Sequence, residues 1–320
     1  MKTIVIGSLN TDLVVTGIEK FPKSGEHVYG KELLISAGGK SRNIADMIAH
    51  LTPINSVAMI GKTVKDPYGL WKVPMDALSK VGVNTDYVNV LEYDEVQKLP
   101  GIALIPVDKQ GHNQIIVLPG ISDDFNIADI DNAEPLFEAV GKNNGMLVLT
   151  LECPLETASY AVEQARKYGL KVMFDPGGIR AGTKLSELLL RGTYLIKPNE
   201  HEARTLTGVE VIDFASARVA AEKLLNRDVE NVLITHGSKG AYLFTKIIQQ
   251  HLTVPKVSVG GEKDETGCGD QTIAALCAFL QDGTSIEEAT KNAILAGSLQ
   301  FHRLGIQPVT RADLVAADSS

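Results

Sequence analysis

The sequence predicts an α/β fold: a mostly parallel central sheet with helices on both faces, plus a small β-sheet lid. Three observations predict it. Short apolar runs alternate with segments of helical period, which is the pattern of repeated βαβ units. Right-handed crossovers between parallel strands then place helices on both faces. Two stretches break the alternation and supply the lid.

The runs Thr3 to Gly7, Ser56 to Ile60, Met146 to Leu151, Lys171 to Asp175, Tyr194 to Lys197 and Val232 to Thr235 read as buried strands. Between them Asn43 to Leu51, Leu155 to Tyr168, Phe214 to Leu225 and Gln271 to Leu280 carry apolar residues three and four apart, as crossover helices do. The breaks are residues 12–36 and about 100–120; in the second, IALIPVD and HNQIIVL flank Lys109, Gln110 and Gly111 like the arms of a hairpin. A flap of this kind acts as a lid that keeps water from a reacting phosphate. Residues 1–314 are expected to form a single domain, and residues 315–320 a frayed tail.

Composition narrows the function. With 320 residues, 44% of them hydrophobic, the chain has an ample core without metal or disulfide staples. A net charge of -8 argues against the phosphate-backbone footprint that nucleic acid demands. Cys153, Cys268 and Cys277 are odd in number and lack paired metal-ligand spacing, which fits a reducing, cytoplasmic setting. MKTIVIGSLN is too short an apolar run for a signal peptide, and no stretch approaches about 18 consecutive apolar residues, so no membrane segment is expected.

The sharpest motif is Asp264-Glu265-Thr266-Gly267-Cys268-Gly269-Asp270, placed directly before an apolar helix. Its glycines let backbone N–H groups turn toward one point, and the helix amino terminus adds positive potential, which suits a phosphate. A carboxylate there is unfavourable for anion binding, so the presence of Asp270 points to a chemical role, that of taking a proton from an attacking hydroxyl. The plainer reading makes Asp270 a helix cap and the glycines a tight turn. No G-x-x-x-x-G-K-[ST] occurs, so the phosphate site is not an ordinary P-loop.

Two amino-terminal segments complement it. Gly7-Ser8-Leu9-Asn10-Thr11-Asp12 follows the first strand, where open α/β sheets present ligand groups. Ala37-Gly38-Gly39-Lys40-Ser41-Arg42-Asn43 brings close-approach backbone, an amide and two cations into one loop. Asp accepts from vicinal hydroxyls while Asn and Lys donate, a set matched to a polyol. Taken singly, each of these residues is also an ordinary turn former or helix-start charge.

These segments resemble the signatures of the ribokinase family: GGKSRNIA at 38–45 is similar to its amino-terminal signature and DETGCGD at 264–270 to its carboxyl-terminal one. GSLNTD, the turn Leu151-Glu152-Cys153-Pro154 and the segment Lys197-Pro198-Asn199-Glu200 fall in the family's order, so the resemblance covers nearly the whole chain. It implies a ribokinase-like fold and transfer of a phosphoryl group from ATP to a sugar. Asp270 is then the catalytic base, with the amides of Gly267, Cys268 and Gly269 as the anion hole. Asn10, Asp12, Gly39, Lys40 and Asn43 would hold the sugar, with Glu152 in reach of it. Asn199 and Glu202 match the N-x-x-E element that organises Mg²⁺ and its waters, while Thr235, Gly237, Ser238, Gly240 and Thr266 match nucleotide-binding positions. Asp264, the backbone near Thr266, and Arg303 to Gly305 match a loop that holds a monovalent cation such as K⁺.

Departures from the pattern bear on the substrate. Ser41-Arg42 stands where the family has small residues, placing a cation at the pocket mouth and allowing an anionic acceptor. Cys268 replaces a common alanine; a thiol at a helix amino terminus has a lowered pKa, so ATP is expected to shield it from alkylation. Three functions remain: a sugar kinase, a nucleoside kinase using the same base, and a non-catalytic sensor of sugar or nucleotide. Free strand edges on the lid point to a homodimer.

Overall fold

The computed structural model describes residues 1–179, 182–257 and 263–318. In chain order the strands are β1 (Thr3–Ile6), β2 (Asn10–Ile18), β3 (Glu32–Gly38), β4 (Val57–Lys65), β5 (Asn84–Glu92), β6 (Gly101–Asp108), β7 (Ile116–Leu118), β8 (Met146–Thr150), β9 (Lys171–Asp175), β10 (Leu195–Ile196), β11 (Val232–Thr235), β12 (Ala241–Phe244) and β13 (Gln249–Leu252). They form two sheets. The larger has nine strands in the order β13-β12-β11-β10-β9-β8-β1-β4-β5, and the smaller has four in the order β3-β2-β6-β7. From β11 to β5 every neighbouring pair is parallel, while β12 and β13 turn back antiparallel at one edge.

The pleat of the central strands sorts side chains into two buried layers. Ile4 and Ile6 of β1, with Leu147 and Leu149 of β8, face a layer that holds Phe137, Ala161 and Val162. Val5, Met146 and Val148 face the opposite layer, against Ile44 and Ile48 of the helix Lys40–Leu51 and Ile273 and Leu276 of the helix Cys268–Gln281. Strands covered on both faces carry unbroken apolar runs. The fold is the ribokinase-like α/β arrangement, with a large mostly parallel sheet, helices on both faces and a small separate sheet.

The smaller sheet is built from the two segments expected to form a lid. β2 runs antiparallel to β3 and parallel to β6, so this interior strand of the smaller sheet begins at Asn10, three residues after Gly7 leaves β1's end. Both faces of its outer part are open: Leu33, Leu34 and Ile35 on β3 and Ile116, Val117 and Leu118 on β7 are all exposed.

The apolar-run pattern does not reveal β5 and β13. NTDYVNVLE and QQHL are edge strands wetted on one side, so they lack the signature of the interior strands. The crossover helices begin earlier than periodicity indicates, at Lys40 and Cys268, because a first turn exposed to a site needs no apolar residue. Of the tail expected to fray after Leu314, residues 319–320 lie outside the described residues. The helix Arg311–Asp318 continues past Leu314, its first turn fixed by Thr310, whose amide and hydroxyl donate to Asp313 Oδ2 at 2.7 Å. Among the described residues no helix is long and apolar enough to cross a membrane.

Candidate active site

The parallel strands point their carboxyl ends the same way, which sets a row of polar residues along one rim. In sheet order these are Thr235 at the end of β11, Lys197 and Asn199 beyond β10, Asp175 at the end of β9, Glu152 beyond β8, and Ser8 and Asn10 beyond β1. The helices Lys40–Leu51 and Cys268–Gln281 bring their amino termini to this rim.

Asp270 lies in the first turn of the second helix and is 4% exposed. Lys40 Nζ approaches its Oδ1 at 3.2 Å, and Asn43 Nδ2 donates to its Oδ2 at 3.2 Å. Residues 230 positions apart in sequence thus meet, and both carboxylate oxygens are fixed. Gly267, the residue before the helix, takes a left-handed φ of 75°, which lets the chain turn into the helix with Asp270 facing Lys40. The Cys268 amide closes the preceding turn on the Glu265 carbonyl at 3.3 Å, so of the three expected anion-hole donors only Gly267 and Gly269 lack a backbone acceptor among the described residues.

Lys40 is held strongly protonated, first by Asp270 against the opposing effect of burial, then by Asp175, Glu202 and Glu152. Its backbone amide donates to Glu152 Oε2 at 2.8 Å, and the Ser8 hydroxyl donates to the same oxygen. Burial pushes Glu152 above the usual carboxylate range despite those two bonds. Asp12 is pushed up to about 6 by burial, with Arg42 opposing and Glu152 adding to the rise. Asn10 Oδ1 and Asn43 Oδ1 are buried without a hydrogen-bond partner. Buried acceptors of this kind call for donors, and a ligand rich in hydroxyls supplies them.

Asn199 and Glu202 form a capping box: Asn199 Oδ1 accepts from the Glu202 amide at 2.8 Å and Glu202 Oε2 accepts from the Asn199 amide at 2.9 Å. The box leaves Glu202 Oε1 without a hydrogen-bond partner among the described residues. A bridge between Asn199 and Thr235 sets the box beside the loop of Gly237, Ser238 and Gly240. On the far side of Asp270, Asp264 Oδ1 accepts from the Thr266 amide at 2.9 Å and Oδ2 from the Gly305 amide at 2.7 Å. Burial alone would raise that carboxyl, but these bonds prevail and hold it low. Arg303 is committed elsewhere, donating to the carbonyls of Gln307 at 3.0 Å and Pro308 at 2.7 Å and pairing with Asp313 at 3.1 Å. Among the described residues no three His, Cys, Asp or Glu side chains cluster as a metal cage.

Two expectations are corrected. Arg42 is not at the pocket mouth: it is 2% exposed and paired with Asp46 at 2.8 Å, because its position on the helix turns it inward, where an acid one turn on can meet it. It therefore does not offer a free cation to an anionic acceptor. The Cys268 thiol is not activated; burial and the carboxylates of Asp264, Glu265 and Asp270 push it up to about 12. Burial leads that rise, and the three carboxylates add to it.

Sequence reasoning misses Asp175 and Lys197. They pair at 2.8 Å, both nearly inaccessible, and a methyl group added at Gly269 would stand 3.4 Å from Lys197 Nζ. Burial would raise the Asp175 carboxyl, but the charges of Lys197 and Lys40 outweigh it and lower it. The available signal is a charged residue ending each of two otherwise apolar strands.

The chain belongs to the pfkB family of carbohydrate kinases, which matches residues 2–312. It is a phosphotransferase with an alcohol group as acceptor, which removes the non-catalytic sensor. Among its relatives, the ribokinase of Haemophilus influenzae is 31% identical over 306 residues, covering 95% of this chain and 93% of that one. The deoxyribokinase of Salmonella typhi is 30% identical over 312 residues, covering 96% and 94%. The structure of Arabidopsis thaliana ribokinase complexed with ribose and ATP superposes with a TM-score of 0.84 at 27% identity, covering 99% of this chain and 98% of that one.

At pH 8 a thiol pushed up to about 12 is almost wholly protonated. Iodoacetamide should therefore label Cys268 at least about tenfold more slowly than free cysteine, with the rate rising as pH increases. Peptide mass spectrometry over a time course reads this, and labelling as fast as free cysteine would contradict the placement.

Proposed function

We propose that the chain transfers the γ-phosphoryl group of ATP to a hydroxyl of ribose or a closely related sugar, with Asp270 as the base. The observation that carries this reading is the paired anchoring of Asp270 by Lys40 and Asn43 at a helix amino terminus, beside unsatisfied acceptors on Asn10 and Asn43. Relatives named ribokinase and deoxyribokinase, and a like-folded ribokinase carrying ribose and ATP, support the choice of acceptor.

The sugar lies over Asn10, Asp12, Gly39, Lys40, Asn43 and Glu152. Asp270 takes the proton of the acceptor hydroxyl as its oxygen bonds to the γ-phosphorus, and the bond to the β,γ-bridging oxygen breaks, releasing ADP. Amides of Gly267 and Gly269 and the ammonium groups of Lys40 and Lys197 meet the charge on the transferring group. Thr235, Gly237, Ser238, Gly240 and Thr266 line the nucleotide's approach. Glu202, steadied by Asn199 through the capping box, and Asp175 fit a Mg²⁺ ion held through its waters, since that ion needs only one or two carboxylates. When bound, the ion neutralises phosphate charge.

Asp270→Asn should keep ribose binding by calorimetry while ADP release from ATP and Mg²⁺ falls about 10²–10⁴-fold or more. A panel of pentoses, hexoses, their phosphates and nucleosides, assayed alongside, names the acceptor. Near-normal turnover in the variant would overturn the role of Asp270, and a nucleoside as sole acceptor would replace the sugar.

Asp264, Thr266 and Gly305 also fit a monovalent-cation loop, because the carbonyls of Thr266 and Gly305 are drawn together by Gln300 Nε2, at 3.2 and 2.6 Å. Turnover in potassium buffer should exceed that in sodium severalfold; equal rates would remove K⁺ from the scheme.

The open apolar faces of the lid suit a second copy of the chain, since large exposed apolar patches mark interfaces. Light scattering at micromolar concentration should return the mass of two chains, and a monomer mass at every concentration would end the homodimer reading.

A further inference from the structure

Beneath the sugar site lies a charge that the transfer step never touches. Arg42 is 2% exposed; its Nη1 donates to Asp46 Oδ2 at 2.8 Å and its Nη2 donates to the Ala37 carbonyl. Ala37 sits opposite Thr11 in the lid sheet, and on either side of that pair Asn10 faces Gly38 and Asp12 faces Ser36. The Asp12 carboxylate folds over Gly38 so closely that a methyl group there would fall 2.0–2.3 Å from its atoms. Guanidinium and carboxylate therefore gather about one peptide unit, Ala37–Gly38.

A buried guanidinium is expensive to desolvate, and pairing with Asp46 uses only part of it: Nε is buried with no hydrogen-bond partner. Asp46 is in turn shared, its Oδ1 lying 3.2 Å from His50 Nδ1 at the surface end of the helix. Beyond Asp46, the carboxylate that the surplus positive charge acts on most is Asp12, with Asp270 next.

We propose that Arg42 is a positioning residue for the sugar site, holding the Asp12 carboxylate charged and able to accept hydroxyls, with Asp46 setting how much of that charge Asp12 feels. The inference rests on the reading of Asp12 as a sugar ligand. Asp12 is faced by Arg42 from the helix Lys40–Leu51 and by Glu152 from beyond β8; Arg42 is faced in addition by Asp46 on its own helix and by Asp270 on the helix Cys268–Gln281. With burial pushing Asp12 up to about 6 and Arg42 opposing, the group is charged above that pH and neutral below it.

The two neighbours then act in opposite directions. Arg42→Met removes the opposing charge and should raise the Asp12 midpoint by about one pH unit or more; Asp46→Asn removes the anion that offsets Arg42 and should lower it. The midpoint is read from the carboxyl carbon resonance of labelled full-length protein, assigned with Asp12→Asn. At pH 6 the KM of Arg42→Met for ribose should rise about fivefold while kcat changes less than about twofold, as expected when the charged fraction of a binding group falls. Loss of packing alone would not move the two midpoints in opposite senses. Should Arg42→Met fail to fold, Asp46→Asn decides: a downward shift supports the proposal and an unmoved midpoint overturns it. Unmoved midpoints beside a raised KM in Asp12→Asn overturn the proposal alone. A normal KM in Asp12→Asn overturns the reading of Asp12 as a sugar ligand, and the proposal with it.

Discussion

The site depends on one ammonium group. Lys40 Nζ meets Asp270 directly and feels Asp175, Glu202 and Glu152, while its own amide holds Glu152. Four carboxylates on four separate strand or helix ends could not stay this close without shared cations. Lys197 supplies the second, locked to Asp175. The parallel sheet makes this arrangement available, since only strands that end together can deliver so many charged residues to one rim.

The interior of the fold is legible because burial on both faces leaves an apolar signature in the chain. Thr3 to Gly7 and Lys171 to Asp175 coincide with β1 and β9 almost residue for residue. β5 and β13 are not, because an edge strand alternates or turns polar and looks like a loop, whereas β12 is a buried apolar run between β11 and β13 that the same signature covers. The same logic governs the site. Asp270, Lys40 and Asn43 stand in glycine-rich segments whose local oddity invites a chemical question, and the structure brings those three together.

What sequence could not supply was the direction in which a side chain is buried. Arg42 reads as a free cation because its neutralising acid and the carbonyl it grips are recognised only once a helix face is known to point inward. Cys268 reads as an activated thiol because the helix terminus is visible in the motif, whereas its burial, the leading cause of the upward push, is not, and Asp264, Glu265 and Asp270 add to it. Asn199 and Glu202 are the reverse case. Their spacing suits a metal site and a capping box alike, and the box is the geometry they adopt.

Asn10 and Asp12 belong to β2, an interior strand of the smaller sheet, rather than to the large sheet beneath it. Floor and roof are one continuous piece of backbone. Any molecule gripped by these two residues is fastened to the root of the flap, so occupancy and flap orientation are mechanically geared instead of being two successive events. The flap's outer strands, β3 and β7, apolar on both faces, then carry that orientation to whatever surface lies against them.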